Sequence, residues 1–340
     1  MALTKKFLIF MIFFVLLTLI SSCRGKNVEK SIEELRTGTQ GIILNFLPNN
    51  PPAMIHVDKS HDKNNFEVIL ELKNLGAFPQ PETRIGGPKG KVYLSGYDPA
   101  IITDVKAKDN SDDLERRALE GKSMINLNGG SDLAFFTGRI DYEKLNVERY
   151  DLTLQATACY EYETIAGPTI CIEPNPYSTI QEKKICEVSD TQLSGQGAPV
   201  AVTKIEEEAF ERKTQFKITI KNVGNGDVLK ADAFEKCDPY GTKKLERDDI
   251  DKVYLQEVKI ADNQLQCRPF ATDPVTSTSG YIRLINGEGS IICELSKDIY
   301  PNYERSKTAF TTPLTIRLNY FYKNTAQRNL QIKKEAEDFS

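Results

Sequence analysis

Tryptophan is absent from this 340-residue chain, and histidine occurs only twice, at His56 and His61. So little imidazole weighs against histidine-based metal sites and histidine-based acid–base catalysis. Without indole, a carbohydrate platform would have to be built from tyrosine and phenylalanine alone. Cys-x-x-Cys spacing is missing, which removes the commonest zinc framework. Neither a Gly-x-Ser-x-Gly elbow nor a His-Glu-x-x-His pair occurs. Gly86-Gly-Pro-Lys-Gly-Lys91 lacks the complete phosphate-loop pattern and reads as a plain turn. No block is strongly basic and the net charge is -4, so nucleic acid is not an expected partner. No Asn-x-Ser/Thr glycosylation acceptor is present. These absences point away from an enzyme and from any cofactor or metal.

What is present begins with a targeting segment. Lys5 and Lys6 precede an apolar run from Phe7 to Ile20, broken only by Thr18, and Ser21-Ser22-Cys23 follows. The run is shorter than the roughly 20 residues a spanning helix needs. Small residues before a cysteine resemble a lipoprotein signal, which implies lipidation at Cys23. Cleavage nearby and an uncleaved anchor are the alternatives, and all three export the rest of the chain and link it to a membrane or its outer side. The other six cysteines, Cys159, Cys171, Cys186, Cys237, Cys267 and Cys293, are an even set suited to disulfides. Six cysteines allow fifteen connectivities. Cys171 with Cys186 would clip a Pro-containing loop, and Cys267 with Cys293 would join strands; Cys159 and Cys237 then either bridge the halves or stay free.

The chain carries an internal repeat. Val68-Ile-Leu-Glu-Leu-Lys-Asn-Leu-Gly76 returns as Phe216-Lys-Ile-Thr-Ile-Lys-Asn-Val-Gly224. Each copy alternates apolar and polar residues, the period of a half-buried strand, and ends in a turn. Lys91-Val-Tyr-Leu94 matches Lys252-Val-Tyr-Leu255, and Leu152-Thr-Leu154 matches Leu314-Thr-Ile316, which sets Tyr322 against Tyr160. Glu206 to Arg212 has helical propensity, but its counterpart is strand, so the repeat predicts strand. Ser123 to Leu127 reads as a strand, and Thr169 to Ile172 as the hairpin partner of the long strand Tyr150 to Tyr162. The second half has the longer connection after its anchor strand. This insertion holds Cys237-Asp-Pro-Tyr-Gly241 and the charged Lys243 to Asp251, which marks it as a place to seek function. Its acidic run Asp248-Asp-Ile-Asp251, like Asp109 to Asp113 and Glu206 to Glu208, reads as a solvated face rather than a calcium loop.

Short strands and regular turns predict an all-β fold of two tandem sandwiches. The expected division is 1–23 signal or anchor, 24–38 tether, 39–190 first sandwich, 191–199 linker, 200–333 second sandwich and 334–340 tail. The strand ending in Lys-Asn-x-Gly is similar to adhesion-type immunoglobulin-like domains of archaeal and bacterial surface proteins, the kind called CARDB. That resemblance implies immunoglobulin-like sandwiches and a structural or binding role, and it transfers no site residue. The expectation is a non-catalytic, membrane-anchored extracytoplasmic protein with a protein partner on the cell surface, in adhesion or in envelope or secretion-complex assembly. The alternative is a solute- or glycan-binding lipoprotein, and an exported hydrolase ranks third.

Overall fold

The computed structural model describes residues 35–60, 64–80, 84–178, 184–271, 277–296 and 308–335. The expected signal segment, Cys23, His61 and most of the tether lie outside the described residues. Residues 32–340 belong to one compact unit. The first half contributes β1 (Ile42–Phe46), β2 (Met54–Val57), β3 (Asn65–Asn74), β4 (Gly90–Ser95), β5 (Ile102–Ala107), β6 (Ser131–Ile140), β7 (Arg149–Ala166) and β8 (Thr169–Ile172). After the short linker strand β9 (Thr191–Gln192), the second half contributes β10 (Val200–Phe210), β11 (Lys213–Asn222), β12 (Asp227–Leu229), β13 (Lys252–Ile260), β14 (Asn263–Gln264), β15 (Gln266–Arg268), β16 (Gly280–Arg283), β17 (Glu288–Ser296) and β18 (Phe310–Lys334).

The fold is all-β. One sheet runs β1-β3-β6-β5, its counterpart runs β15-β17-β11-β10-β9, and a third runs β14-β13-β18-β7-β4. Pairing is antiparallel except where β2 lies parallel to the end of β18. The third sheet contains strands of both halves, because β7 pairs with β18 from Ile316↔Ala166 to Lys333↔Arg149. Alternation along β7 sends Leu152, Leu154, Ala156, Ala158, Tyr160 and Tyr162 into a core that also takes Val68, Leu70 and Leu72 of β3 and Phe216, Ile218 and Ile220 of β11. One continuous core therefore underlies both halves.

The β7–β18 register makes the halves nearly two-fold symmetric. Tyr160 faces Tyr322, and Tyr162 faces Tyr320. The four rings form a chain of contacts at centroid distances of 6.0–6.4 Å. Burying four phenols is favourable only if each hydroxyl finds a partner. Tyr160 Oη donates to the Ile42 carbonyl at 3.0 Å, and Val200 N–H donates to Tyr320 Oη at 3.2 Å. Thr164 Oγ1 donates to the Val200 carbonyl and Asn324 Nδ2 to the Ile42 carbonyl, both at 2.7 Å. Ile42 lies opposite Asn74 just as Val200 lies opposite Asn222. By these contacts Tyr160 corresponds to Tyr320, and Tyr162 to Tyr322.

The repeated Lys-Asn-x-Gly now has a physical explanation. Asn74 Oδ1 accepts from Gly76 N–H, and Asn222 Oδ1 accepts from Gly224 N–H, each an Asx turn that ends the strand. The glycine then passes beneath a tyrosine of the shared sheet. A Cβ at Gly76 would lie 1.8 Å from Tyr162 Oη, and one at Gly224 would lie 2.3 Å from Tyr322 Oη. Tyr162 Oη donates to the Gly197 carbonyl at 2.7 Å, and Tyr322 Oη accepts from Gly226 N–H at 2.7 Å. Burial pushes the Tyr322 phenol up to about 12, and it pushes Tyr160 and Tyr320 well above the usual phenol range.

Four expectations change or resolve. Glu206 to Phe210 is strand, as the repeat predicted over the helical propensity. Ser123 to Leu127 is a turn rather than a strand: Ser123 N–H bonds the Asn126 carbonyl, and Ile125 is exposed. β8 pairs with the start of β18 rather than with β7, whose edge β18 already occupies. The match of Leu314 with Leu152 slips by two residues, since Tyr320 rather than Tyr322 stands where Tyr160 does. The same slip affects the second strand pair, because Lys91 faces Cys159 whereas Tyr254 faces the corresponding Asn319. Strand alternation repeats every two residues, so a shift of two leaves every side chain on its face.

Gly224→Ala is expected to cost about 2 kcal/mol in urea unfolding, with part of the loss recovered in a Tyr322→Phe background, because the hydroxyl is the nearest obstacle. Gly76→Ala is expected to cost more and to resist rescue by Tyr162→Phe. The Gly197 and Gln40 carbonyls would remain 2.5 and 2.6 Å from its Cβ.

Candidate functional site

The most distinctive surface feature lies along β1. Leu75 N–H donates to the Gly41 carbonyl, and Leu47 N–H donates to the Ile69 carbonyl. Residues 41, 43, 45 and 47 therefore bond β3, and the intervening residues turn their backbone groups to the outer edge. The Ile42 carbonyl on that edge is taken by Tyr160 and Asn324, and the Leu47 carbonyl accepts from Arg328 Nη1 at 2.7 Å. Between these two points the backbone groups of Leu44 open onto a cleft of about 260 Å³. Thr39, Gln40 and Asn45 form one wall; Asn225, Asn324 and Thr325 stand across from them. Ile43, Leu44, Pro199 and Tyr322 add to the lining, which contains no charged side chain. Such a surface offers hydrogen bonds and shape, not charge or nucleophilic chemistry.

The inserted loop turns out to be a brace. Cys237 is bonded to Cys159 of β7, tying the second half's insertion to the first half. Phe234, Leu245 and Ile250 pack with Cys159, Leu229 and Phe321 on the outer face of the shared sheet. Farther out, Tyr240 Oη donates to the Tyr97 carbonyl at 2.6 Å, and the two rings lie 5.1 Å apart. Burial, aided by the neighbouring Tyr240, pushes the Tyr97 phenol up to about 12. The acidic residues of the loop are spoken for. Asp248 pairs with the buried Lys252, whose hydrogen bond holds the Asp248 carboxyl below its usual range, and Asp249 pairs with Lys236 at 2.8 Å. Among the described residues, no group of three or more potential ligands is placed to hold a metal ion.

The remaining cysteines pair as Cys171–Cys186 and Cys267–Cys293. Three disulfides suggest an oxidising, extracytoplasmic location. His56 is exposed on β2, far in kind from a catalytic setting. On the outer face of the shared sheet, Glu161 is bonded by Arg84, and Glu163 shares Arg317 with Glu257. These carboxylates are ion-paired rather than poised as an acid–base couple. Gly86, at φ +94°, sits against the Glu115 carbonyl as a turn. Sequence reasoning missed the β1 cleft because its walls are 180 to 286 residues apart in the chain. A local hint lies in Pro48, Pro51 and Pro52 after β1, residues that cannot donate to a ladder and so suit a sheet edge.

One buried acid is out of the ordinary. Burial raises the Glu207 carboxyl to about 8, against a partly offsetting backbone hydrogen bond at Cys171, and its Oε1 has no partner among the described residues. No family model matches this chain, and no curated protein matches it either.

Two outcomes are expected. Replacing Cys159 and Cys237 together by alanine should lower stability by about 2–4 kcal/mol and speed amide exchange in residues 234–250, measured by exchange mass spectrometry. Glu207 holds its proton more tightly folded than unfolded. Its stabilising contribution is therefore full below about pH 4.5 and falls as pH rises through about 8. Relative to Glu207→Gln, the Tm of the parent should fall across that window and level off above it.

Proposed function

We propose that this protein is a non-catalytic, extracytoplasmic binding module, tethered to the cell membrane through its N-terminus with Cys23 as the lipidated residue. Its partner is a protein on the cell surface, and its role is adhesion or the assembly of an envelope or secretion complex. Each half is read as an immunoglobulin-like sandwich. The order β1-β3-β6-β5 corresponds to strands A, B, E and D of such a domain, and β4-β7 to C and F. The place of a G strand beside β7 is taken by β18, and the reverse holds in the second half. The resemblance of the anchor strands to surface immunoglobulin-like domains supports the same reading.

The observation that carries the proposal is an open strand edge beside a cleft, held in a body braced by three disulfides. Exposed edges are the usual means by which sandwich domains take hold of extended chains. The cleft of about 260 Å³ is small for a solute or glycan site, and it is the strand edge beside it that favours a polypeptide.

Mass spectrometry of the membrane fraction should find a mature chain that begins at lipidated Cys23. Cross-linking on intact cells with a membrane-impermeant reagent should join it to a surface protein. A soluble chain with Met1 retained would sink the anchoring, and the absence of any cross-linked partner would sink the binding role.

A further inference from the structure

The two halves correspond in register at their first strands, and they differ at the outer edges of those strands. Leu44 lies opposite Leu72 and Val202 lies opposite Ile220, at matching positions before Asn74 and Asn222. Val202 is therefore the second-half equivalent of Leu44. Its outer edge is occupied. Val202 N–H donates to Gln196 Oε1 at 2.9 Å, and Gln196 Nε2 donates back to the Val202 carbonyl at 3.0 Å. Leu193 N–H donates to the Thr203 carbonyl at 3.0 Å, and β9 pairs Gln192 and Thr191 with Lys204 and Ile205. The linker Thr191-Gln-Leu-Ser-Gly-Gln196 thus adds a short strand to the second half in cis and ends in an amide clamp.

The first half has no such strand among the described residues. The residues that precede β1 run elsewhere: Leu35 is buried, and the Gly38 carbonyl accepts from Gly197 N–H at 3.0 Å, which holds this stretch against the linker. Leu44 is only 5% exposed, and what remains accessible of it lines the uncharged cleft. A backbone pair beside a groove is a template for strand addition.

We propose that the β1 edge binds an extended segment of a partner protein whose chemistry copies the linker: uncharged and mostly polar, with a glutamine or asparagine side chain that clamps Leu44 as Gln196 clamps Val202. The uncharged walls select against charged segments, because a charge brought into the cleft would lose hydration without a counter-ion. This assignment rests on the reading of the protein as a surface binding module and names the kind of partner its open edge takes.

The probe is an acetylated, amidated peptide with the sequence Thr191 to Ala198, titrated into the intact extracytoplasmic chain while the Leu44 amide is followed by NMR. Saturable binding is expected, with exchange of the Leu44 N–H slowed about tenfold or more. Exchanging the peptide's glutamine clamp for alanine should weaken binding several-fold. Asn225→Trp, an exposed change at the mouth of the cleft, should abolish it while leaving the Tm and circular dichroism unchanged. The proposal is overturned if millimolar peptide leaves Leu44 unprotected, or if protection persists in a folded Asn225→Trp variant. It is also overturned if the protein alone protects Leu44 as its concentration rises and sedimentation shows a dimer, since the occupant is then a second copy. A surface partner captured from cells without Leu44 protection sinks this edge assignment alone. Peptide binding with no surface partner sinks the adhesion reading and leaves the edge assignment standing.

Discussion

The pairing of β7 with β18 is the constraint on which the rest of this structure depends. It sets the longest strand of one half against the longest strand of the other and buries Tyr160, Tyr162, Tyr320 and Tyr322 side by side. A buried phenol without a hydrogen bond costs stability, so each hydroxyl dictates what passes beneath it. The requirement fixes the start of β1 and of β10, the Asx turns at Asn74 and Asn222, and the glycines at 76 and 224. The repeated motif is therefore a footprint of the interface between the halves as much as a feature of each half.

That interface is nearly symmetric, and the departures from symmetry are where the chain has been specialised. On the outer face of the shared sheet, the longer connection of the second half folds across and is bonded through Cys237 to β7. It covers apolar surface that a bare sheet would expose, including Phe321 and Tyr93. On the opposite side, the linker closes the edge of β10, whereas β1 keeps an open stretch at Leu44. The two first strands thus differ at matching positions: one edge is closed by the linker, and the other has no such strand among the described residues.

Electrostatics has a modest part in this arrangement. Surface carboxylates such as Glu161, Glu163, Asp248 and Asp249 are paired with arginine or lysine. The exception is Glu207, half-buried near the Cys171–Cys186 clip with its Oε1 unpartnered among the described residues, which ties stability to pH at the junction of linker and second half.

Alternating apolar residues in Val68 to Gly76 and Phe216 to Gly224 were enough to establish strands, a duplication and an all-β class, because side-chain alternation is a property of the chain itself. The repeat also overrode helical propensity at Glu206 to Phe210, since partner strands decide conformation more strongly than local preference does. The even number of cysteines after Cys23 anticipated disulfides. Sequence could not choose between registers two residues apart, and it could not reveal that β18 rather than β8 lies against β7. Those outcomes turn on which edges find each other in space. The site followed the same rule: Leu44, Asn225 and Asn324 carry no signature in the chain. What distinguishes them is a backbone edge left open in one half and closed in the other, a difference made only when both halves are folded around the same four tyrosines.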